Sequence, residues 1–133
     1  SSVILDAWYA GIRSGMADAI SDIATHDIRI WWNGPPDRVP WAGEHLGSDA
    51  ALAFFAMVGA TLEVLRTTVV ERIETPDAIV VFLDAPWRVK ANGAEIRAKA
   101  LNVFRFRDGK VSGYEVYPDS AAFVRALTEL PKA

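Results

Sequence analysis

The sequence predicts an α+β fold: a strongly curved, mostly antiparallel sheet packed against three to four helices around an apolar pocket. Three observations predict it. Helical spacing fills both ends of the chain and one central segment, while a run of long strands occupies residues 62–117. Strands that follow one another in a meander pair antiparallel, which separates this order from a parallel α/β sheet. Last, Asn92-Gly93 and Asp108-Gly109 are hairpin signals that make neighbouring strands share faces. Pairing outward from Asn92-Gly93 sets Val89 opposite Ile96, Trp87 opposite Ala98, Ala85 opposite Ala100 and Leu83 opposite Asn102. One face then carries Leu83, Ala85, Trp87, Ala98, Ala100, Phe104 and a single amide, Asn102. Large and small apolar residues around one polar group describe a cavity wall rather than a filled core.

The elements follow in order. Val3 to Ser14 has apolar residues at helical spacing (Ile4, Ala7, Trp8, Gly11, Ile12), and Gly15 breaks it. Ala17 to Thr25 reads as a second short helix. Asp27 to Asn33 is a strand, ended by Gly34-Pro35-Pro36-Asp37, where neither proline can donate a backbone hydrogen bond. Trp41 to Leu46 is a short edge strand. Ser48 is the expected cap of a third helix with a stripe of Ala51, Phe54, Phe55, Val58 and Leu62. Leu62–Glu74, Ala78–Ala91, Ala94–Phe106 and Val111–Tyr117 are the long strands, with Pro86 marking a bulge or an edge. Asp119 or Ser120 caps a last helix with Phe123, Leu127 and Leu130 at core spacing.

The chain has 133 residues and no internal repeat, so residues 1–133 are expected to form one domain. Hydrophobic residues are 51% of it, enough for a core, and the mean hydropathy of +0.13 is high for so small a chain. A formal charge of −3 leaves no electrostatic footprint for nucleic acid. No apolar run reaches the roughly 18 residues of a membrane span. Asp6 and Arg13 interrupt what would be a signal segment, so a cytoplasmic location is expected. There is no cysteine, and the 2 histidines lie far apart without clustered carboxylates. Neither a metal site nor a cofactor is expected, and no phosphate-binding glycine motif or nucleophile elbow is present.

Ala7-Trp8-Tyr9 running to Gly15, Trp41-Ala42-Gly43 through Gly47, Asn102 through Val111, and Tyr117-Pro118-Asp119 together resemble the nuclear transport factor 2-like superfamily. That cone-shaped fold is shared by ketosteroid isomerase, SnoaL-type polyketide cyclases, scytalone dehydratase and limonene epoxide hydrolase. The resemblance covers nearly the whole chain and speaks to fold more than to chemistry, because the fold hosts unrelated reactions and members with none. Matched to the isomerase, its oxyanion-holding Asp falls at Asn102, its first-helix Tyr at Trp8 with Tyr9 beside it, and its base near Trp32 or Asn33. Matched to the epoxide hydrolase, its strand-one pair falls at Trp31 and Asn33, but its Arg and Asp fall at Leu83 and Ala85 and its last Asp at Val116. Matched to the cyclases, the acid/base falls at Asp119. The relatives commonly pair through the outer sheet face, so a homodimer is expected.

Each candidate carries a plainer alternative. Asn102 either holds a ligand oxygen or is an amide satisfied by backbone or buried water. Tyr114 and Val116 join its face only if the last turn contains a bulge, expected at Gly109; a plain two-residue turn would bring Glu115 inward instead. Asp119 is either the acid/base or a helix cap. Asn33 either points into the cavity or shapes its loop. Trp8, Trp31 and Trp87 either line a pocket or fill the core. Asp84 lies on the charged face near Lys99, with Arg88, Arg97, Arg105 and Arg107. His45 sits near the expected mouth.

The expected function is cofactor-independent acid–base catalysis of isomerase, cyclase or lyase type on a small apolar cyclic metabolite such as a polyketide, steroid or terpenoid. Asn102, Asp119 and Tyr114 are the expected catalytic groups. Trp8, Tyr9, Trp31, Asn33, Trp87, Ala98, Ala100 and Val116 are the expected binding surface. The alternatives are a non-catalytic binding or dimerisation module and a diverged epoxide hydrolase. A carboxylate facing the space before Asn102 argues for the catalyst; apolar groups alone argue for the binder.

Overall fold

The computed structural model describes residues 2–14 and 17–129. Four helices and nine strands follow one another: α1 (Ser2–Ser14), α2 (Ala17–Ser21), β1 (Ala24–Trp32), β2 (Gly43–Leu46), α3 (Ser48–Thr61), β3 (Leu62–Val64), β4 (Thr68–Glu74), β5 (Ala78–Asp84), β6 (Trp87–Val89), β7 (Glu95–Ile96), β8 (Lys99–Arg107), β9 (Lys110–Pro118) and α4 (Ser120–Thr128). The predicted α+β class is the observed one. Six strands form a sheet in the order β2-β1-β9-β8-β5-β4, and β3-β6-β7 form a second, small sheet. Pairing is antiparallel except between β1 and β9, where a distant segment closes the sheet in parallel.

Three strands expected to be continuous are each broken in two. The breaks fall at residues 65–67, at Ala85-Pro86 and at Arg97-Ala98. Pro86 lacks an N–H, so the ladder cannot run through it. At these breaks the chain leaves the large sheet for the small one, and this bend makes room for a cavity. The second helix is also shorter than expected: Ala24 and Thr25 belong to β1, whose β-branched Thr25 suits an extended chain. Ser48 does not cap α3. Gly47 occupies the cap position, and Ser48, the first helical residue, donates its hydroxyl to the His26 carbonyl at 3.1 Å. The expected break at Gly15 and core position at Leu130 lie outside the described residues.

The hairpin at Asn92-Gly93 has a longer connection than a two-residue turn. Val89 N–H donates to the Ala94 carbonyl and Gly93 N–H to the Val89 carbonyl, so four residues link the strands, and of the central pair only Gly93 has positive φ, 75°. Trp87 therefore faces Ile96, Leu83 faces Ala100 and Val81 faces Asn102. Each pairing is displaced by two positions from the expected one. A displacement by an even number keeps every side chain on its face. Val81, Leu83, Asn102 and Phe104 are all buried on the concave side, while Asp84 lies opposite Lys99 on the outer side and pairs with Arg66.

The last hairpin reaches the expected facing by another route. Asp108 and Gly109 form a two-residue turn with φ of 54° and 77°, and Arg107 pairs with Lys110. The extra residue is Ser112, a bulge opposite the junction of Arg105 and Phe106. It restores Tyr114 opposite Phe104 and Val116 opposite Asn102. Glu115 consequently faces outward, where it binds Arg105 at 3.0 Å and accepts the Tyr117 hydroxyl at 2.6 Å. The charges of the outer face are neutralised locally by Arg88–Glu63, Arg97–Glu95 and Arg107–Asp27. Such exposed pairs contribute about 0–1 kcal/mol each.

The core is aromatic. Trp8 is fully buried and meets Phe55, Phe104 and Tyr114 with ring centroids 5.0–5.8 Å apart. No helix among the described residues is long and apolar enough to cross a membrane.

Candidate functional site

The cavity lies between α1, α3 and α4 and the concave side of β5, β8 and β9. Alternation on β8 and β9 delivers its far wall: Ala100, Asn102, Tyr114 and Val116, with Leu83 and Ala85 from β5 and its end. From α1 comes Tyr9, one residue past the core Trp8 on the helical wheel. Trp32, Trp41, Phe54 and Phe123 close the other side, with Trp32 edge-on to both Trp41 and Phe123. Trp32 keeps its place partly because Gly34 has no side chain: a Cβ there would come within 2.6 Å of its ring. The enclosed space is about 60 Å³ for the centre of a water-sized sphere. On that measure one water takes ~10–15 Å³, so the space holds a few waters or part of a ligand.

One polar pair stands on this wall. The Tyr9 hydroxyl donates to Asn102 Oδ1 at 2.8 Å, and Asn102 is 2% exposed. Burying an unpaired amide would cost about 1–3 kcal/mol, and this bond removes that cost at the oxygen. It also fixes the orientation of the amide, leaving the NH2 group as the donor for the cavity. Burial, and then the nearby Tyr114, push the Tyr9 phenol well above its ordinary pKa. Burial does the same to Tyr114, slightly opposed by the Trp8 indole, whose N–H reaches no partner with good hydrogen-bond geometry. Both phenols stay protonated at neutral pH, so both are donors and neither is a ready base. No carboxylate, histidine or cation lines this cavity among the described residues. Nor does any group of three or more His, Asp or Glu side chains converge there in a way that would hold a metal.

Of the residues expected at the site, Tyr9, Trp87, Ala100, Asn102, Tyr114 and Val116 come together. Five do not. Trp8 is core packing. Trp31 is on the outer side of β1, under the Arg29 guanidinium at 5.8 Å. Asn33 is exposed, and its backbone N–H extends the β1–β9 ladder to the Val116 carbonyl. Ala98 sits at the break between β7 and β8, away from the wall. Asp119 is exposed and caps α4, accepting the Ala122 N–H at 3.2 Å. His45 binds the Trp41 carbonyl at 2.8 Å and packs on Phe54, so it braces the cavity wall from behind.

Trp32 and Trp41 are the main lining residues not foreseen. Strand alternation from Ile28 and Ile30 identifies Trp32. Trp41 lies in a loop that no periodicity describes, and its buried indole N–H has no partner among the described residues.

The SnoaL-like domain family matches residues 5–114. The chain belongs to this family. Its match spans α1 through most of β9 and so contains every wall of the cavity except α4 and the end of β9. Among curated proteins none matches the chain. Solved structures do. An NTF2-like protein from Burkholderia pseudomallei superposes with a TM-score of 0.86 at 22% identity, covering 96% of this chain and 97% of its own. TerC, crystallised with polyporic acid, gives 0.79 at 23% identity over 95% and 96%. A candidate polyketide cyclase from Pseudomonas putida gives 0.78 at 15% identity over 92% and 94%. At these identities the likeness is one of fold, and it agrees with the cone-shaped SnoaL-like architecture.

Proposed function

We propose that this SnoaL-like domain binds a flat, largely apolar small molecule through one oxygen of that molecule. The Asn102 amide, oriented by Tyr9, donates to that oxygen, and the Tyr114 phenol stands beside it as a second donor. Trp32, Trp41, Trp87 and Phe123 supply the apolar contact. The observation that carries this reading is the Tyr9–Asn102 bond on a wall with no carboxylate. TerC's co-crystallisation with polyporic acid accords with a ring compound as ligand. Soaking the protein with flat ketones and following thermal unfolding tests the proposal, since a bound ligand raises the melting temperature by mass action. Stabilisation by ketones that disappears in Asn102→Ala supports it. No stabilisation by any ketone at millimolar concentration overturns it.

A second reading keeps the same contacts and adds chemistry. Two neutral donors aimed at one oxygen would also hold an enolate, as an isomerase, cyclase or lyase requires. General bases contribute about 10²–10⁴-fold, and the two carboxylates nearest in sequence, Glu115 and Asp119, lie outside the cavity. The binding reading is therefore the stronger. Deuterium exchange at the carbon next to a bound ketone, followed by proton NMR, separates the two: exchange above the buffer rate means catalysis.

A further inference from the structure

A second, larger hollow adjoins the first. It is about 520 Å³ on the same measure and is bounded by the end of α1, the second half of α3, β3 and β6. Ile12, Phe55, Val58, Leu62 and Trp87 line both spaces, so one is the vestibule of the other. The inner space is well below the ~300–1,000 Å³ of an ordinary ligand site, so a ring ligand that reaches Asn102 must extend outward through the vestibule.

The rim of that vestibule is charged. Arg13, in the last turn of α1, has no ion pair among the described residues. Lys90 follows β6, and its ammonium donates to the Gly59 carbonyl at 2.6 Å, which holds it across the mouth against α3. An ammonium has three donors, so this bond leaves others free. Glu63 is the single carboxylate on the rim, and Arg88 already binds it at 2.9 Å. The mouth is thus positive on a chain whose formal charge is −3.

We infer that the ligand is an amphipathic anion: a flat apolar body whose oxygen meets Asn102 and whose other end carries a carboxylate that meets Arg13 and Lys90. This rests on the binding reading given above and adds the polarity of the ligand's outer end. Charge-assisted bonds at a half-open mouth add affinity and fall with salt.

Three matched probes test it by calorimetry: acetylbiphenyl, its para-carboxylate and its para-aminomethyl analogue. The carboxylate is expected to bind about tenfold more tightly than the neutral ketone at low salt, and the amine more weakly than either. Raising salt is expected to shrink the gap. Arg13→Gln with Lys90→Gln is expected to abolish it while leaving acetylbiphenyl binding unchanged, and Lys90→Arg to retain it. Circular dichroism confirms that each variant is folded. Equal binding of carboxylate and neutral ketone overturns this inference and leaves the cavity reading standing. Failure of all three probes to bind overturns both.

Discussion

The Tyr9 hydroxyl and the Asn102 carboxamide, 93 positions apart, meet in a 2.8 Å hydrogen bond inside an otherwise apolar wall. The bond joins α1 to β8, so it ties a helix to the sheet while it aims the amide. Tyr9→Phe removes the donor and strands Asn102 Oδ1. The expected cost is about 1–3 kcal/mol of stability, read as a lower urea midpoint with an unchanged slope. Freed from its anchor, the amide is also expected to bind acetylbiphenyl several-fold more weakly. A variant with wild-type stability and affinity would show the bond to be incidental.

The same two tyrosines set an alkaline limit on stability. Burial raises the pKa of both in the folded state above the ordinary value near 10 that applies when unfolded. The folded protein therefore holds these protons after the unfolded chain has released them. Their contribution is fully present below about pH 10 and is lost as pH rises toward the folded values. Each tyrosine is expected to add a slope of about 1.4 kcal/mol per pH unit in that window. Urea titrations between pH 9 and pH 11.5 measure it, and Tyr9→Phe is expected to remove one proton's worth of slope. An unaltered slope in Tyr9→Phe would mean that its phenol ionises freely in the fold.

Parity explains what the sequence could and could not disclose. Asn102, Ala100, Leu83 and Val81 share a face whether the Asn92-Gly93 connection has two residues or four, because the two registers differ by an even number. The facing of Tyr114 and Val116 was open for the opposite reason: one residue, Ser112, decides it, and a serine in a strand carries no distinctive bulge signal. Trp32 was legible from the alternation of Ile28 and Ile30, and the borrowed spacing of a related hydrolase pointed to Trp31 instead. Asp119 reads equally well as an acid or as a cap until its neighbour Ala122 is seen to donate to it. Contacts such as Tyr9–Asn102 join segments that no local pattern connects, and these complete the site.

Asn92 shows how much a turn residue can carry. It is 8% exposed; its amide donates to the carbonyls of Ala126 and Glu129 at 2.8 and 2.9 Å, and its oxygen accepts the Ala94 N–H at 2.9 Å. It thus satisfies the open C-terminal end of α4, whose Phe123 closes the cavity. Asn92→Ala is expected to cost about 2–3 kcal/mol and to raise amide hydrogen exchange in α4 above that in β8. Asn92→Asp keeps the acceptor and loses the donors, so it is expected to loosen α4 while sparing the hairpin. Uniform protection in both variants would refute the cap.

Ser112 is the residue whose removal should do most harm for its size. Its deletion leaves the Asp108-Gly109 turn intact but moves β9 by one position against β8. Glu115 would then face the cavity, and Tyr114 and Val116 would face solvent. An unpaired carboxylate cannot be held in that wall without large cost. The deletion is expected to give an unfolded or aggregated chain, seen as loss of near-ultraviolet dichroism, whereas Ser112→Ala is expected to remain within about 0.5 kcal/mol of wild type. A folded deletion variant would mean the bulge migrates along β9.

Ala100 offers a test that separates the hollow from the stability of its walls. It lines the inner cavity beside Asn102 and is partly exposed to it. Ala100→Leu adds three carbons toward a space of about 60 Å³ that the protein leaves unfilled. Overpacking of a full core costs about 1–3 kcal/mol, whereas filling a real void is close to neutral. The expected result is a melting temperature near wild type together with at least a tenfold loss of acetylbiphenyl affinity, because the added side chain occupies the approach to the amide. A steep loss of stability would show that the wall is already packed. Retained affinity would place the ligand elsewhere, in the vestibule alone.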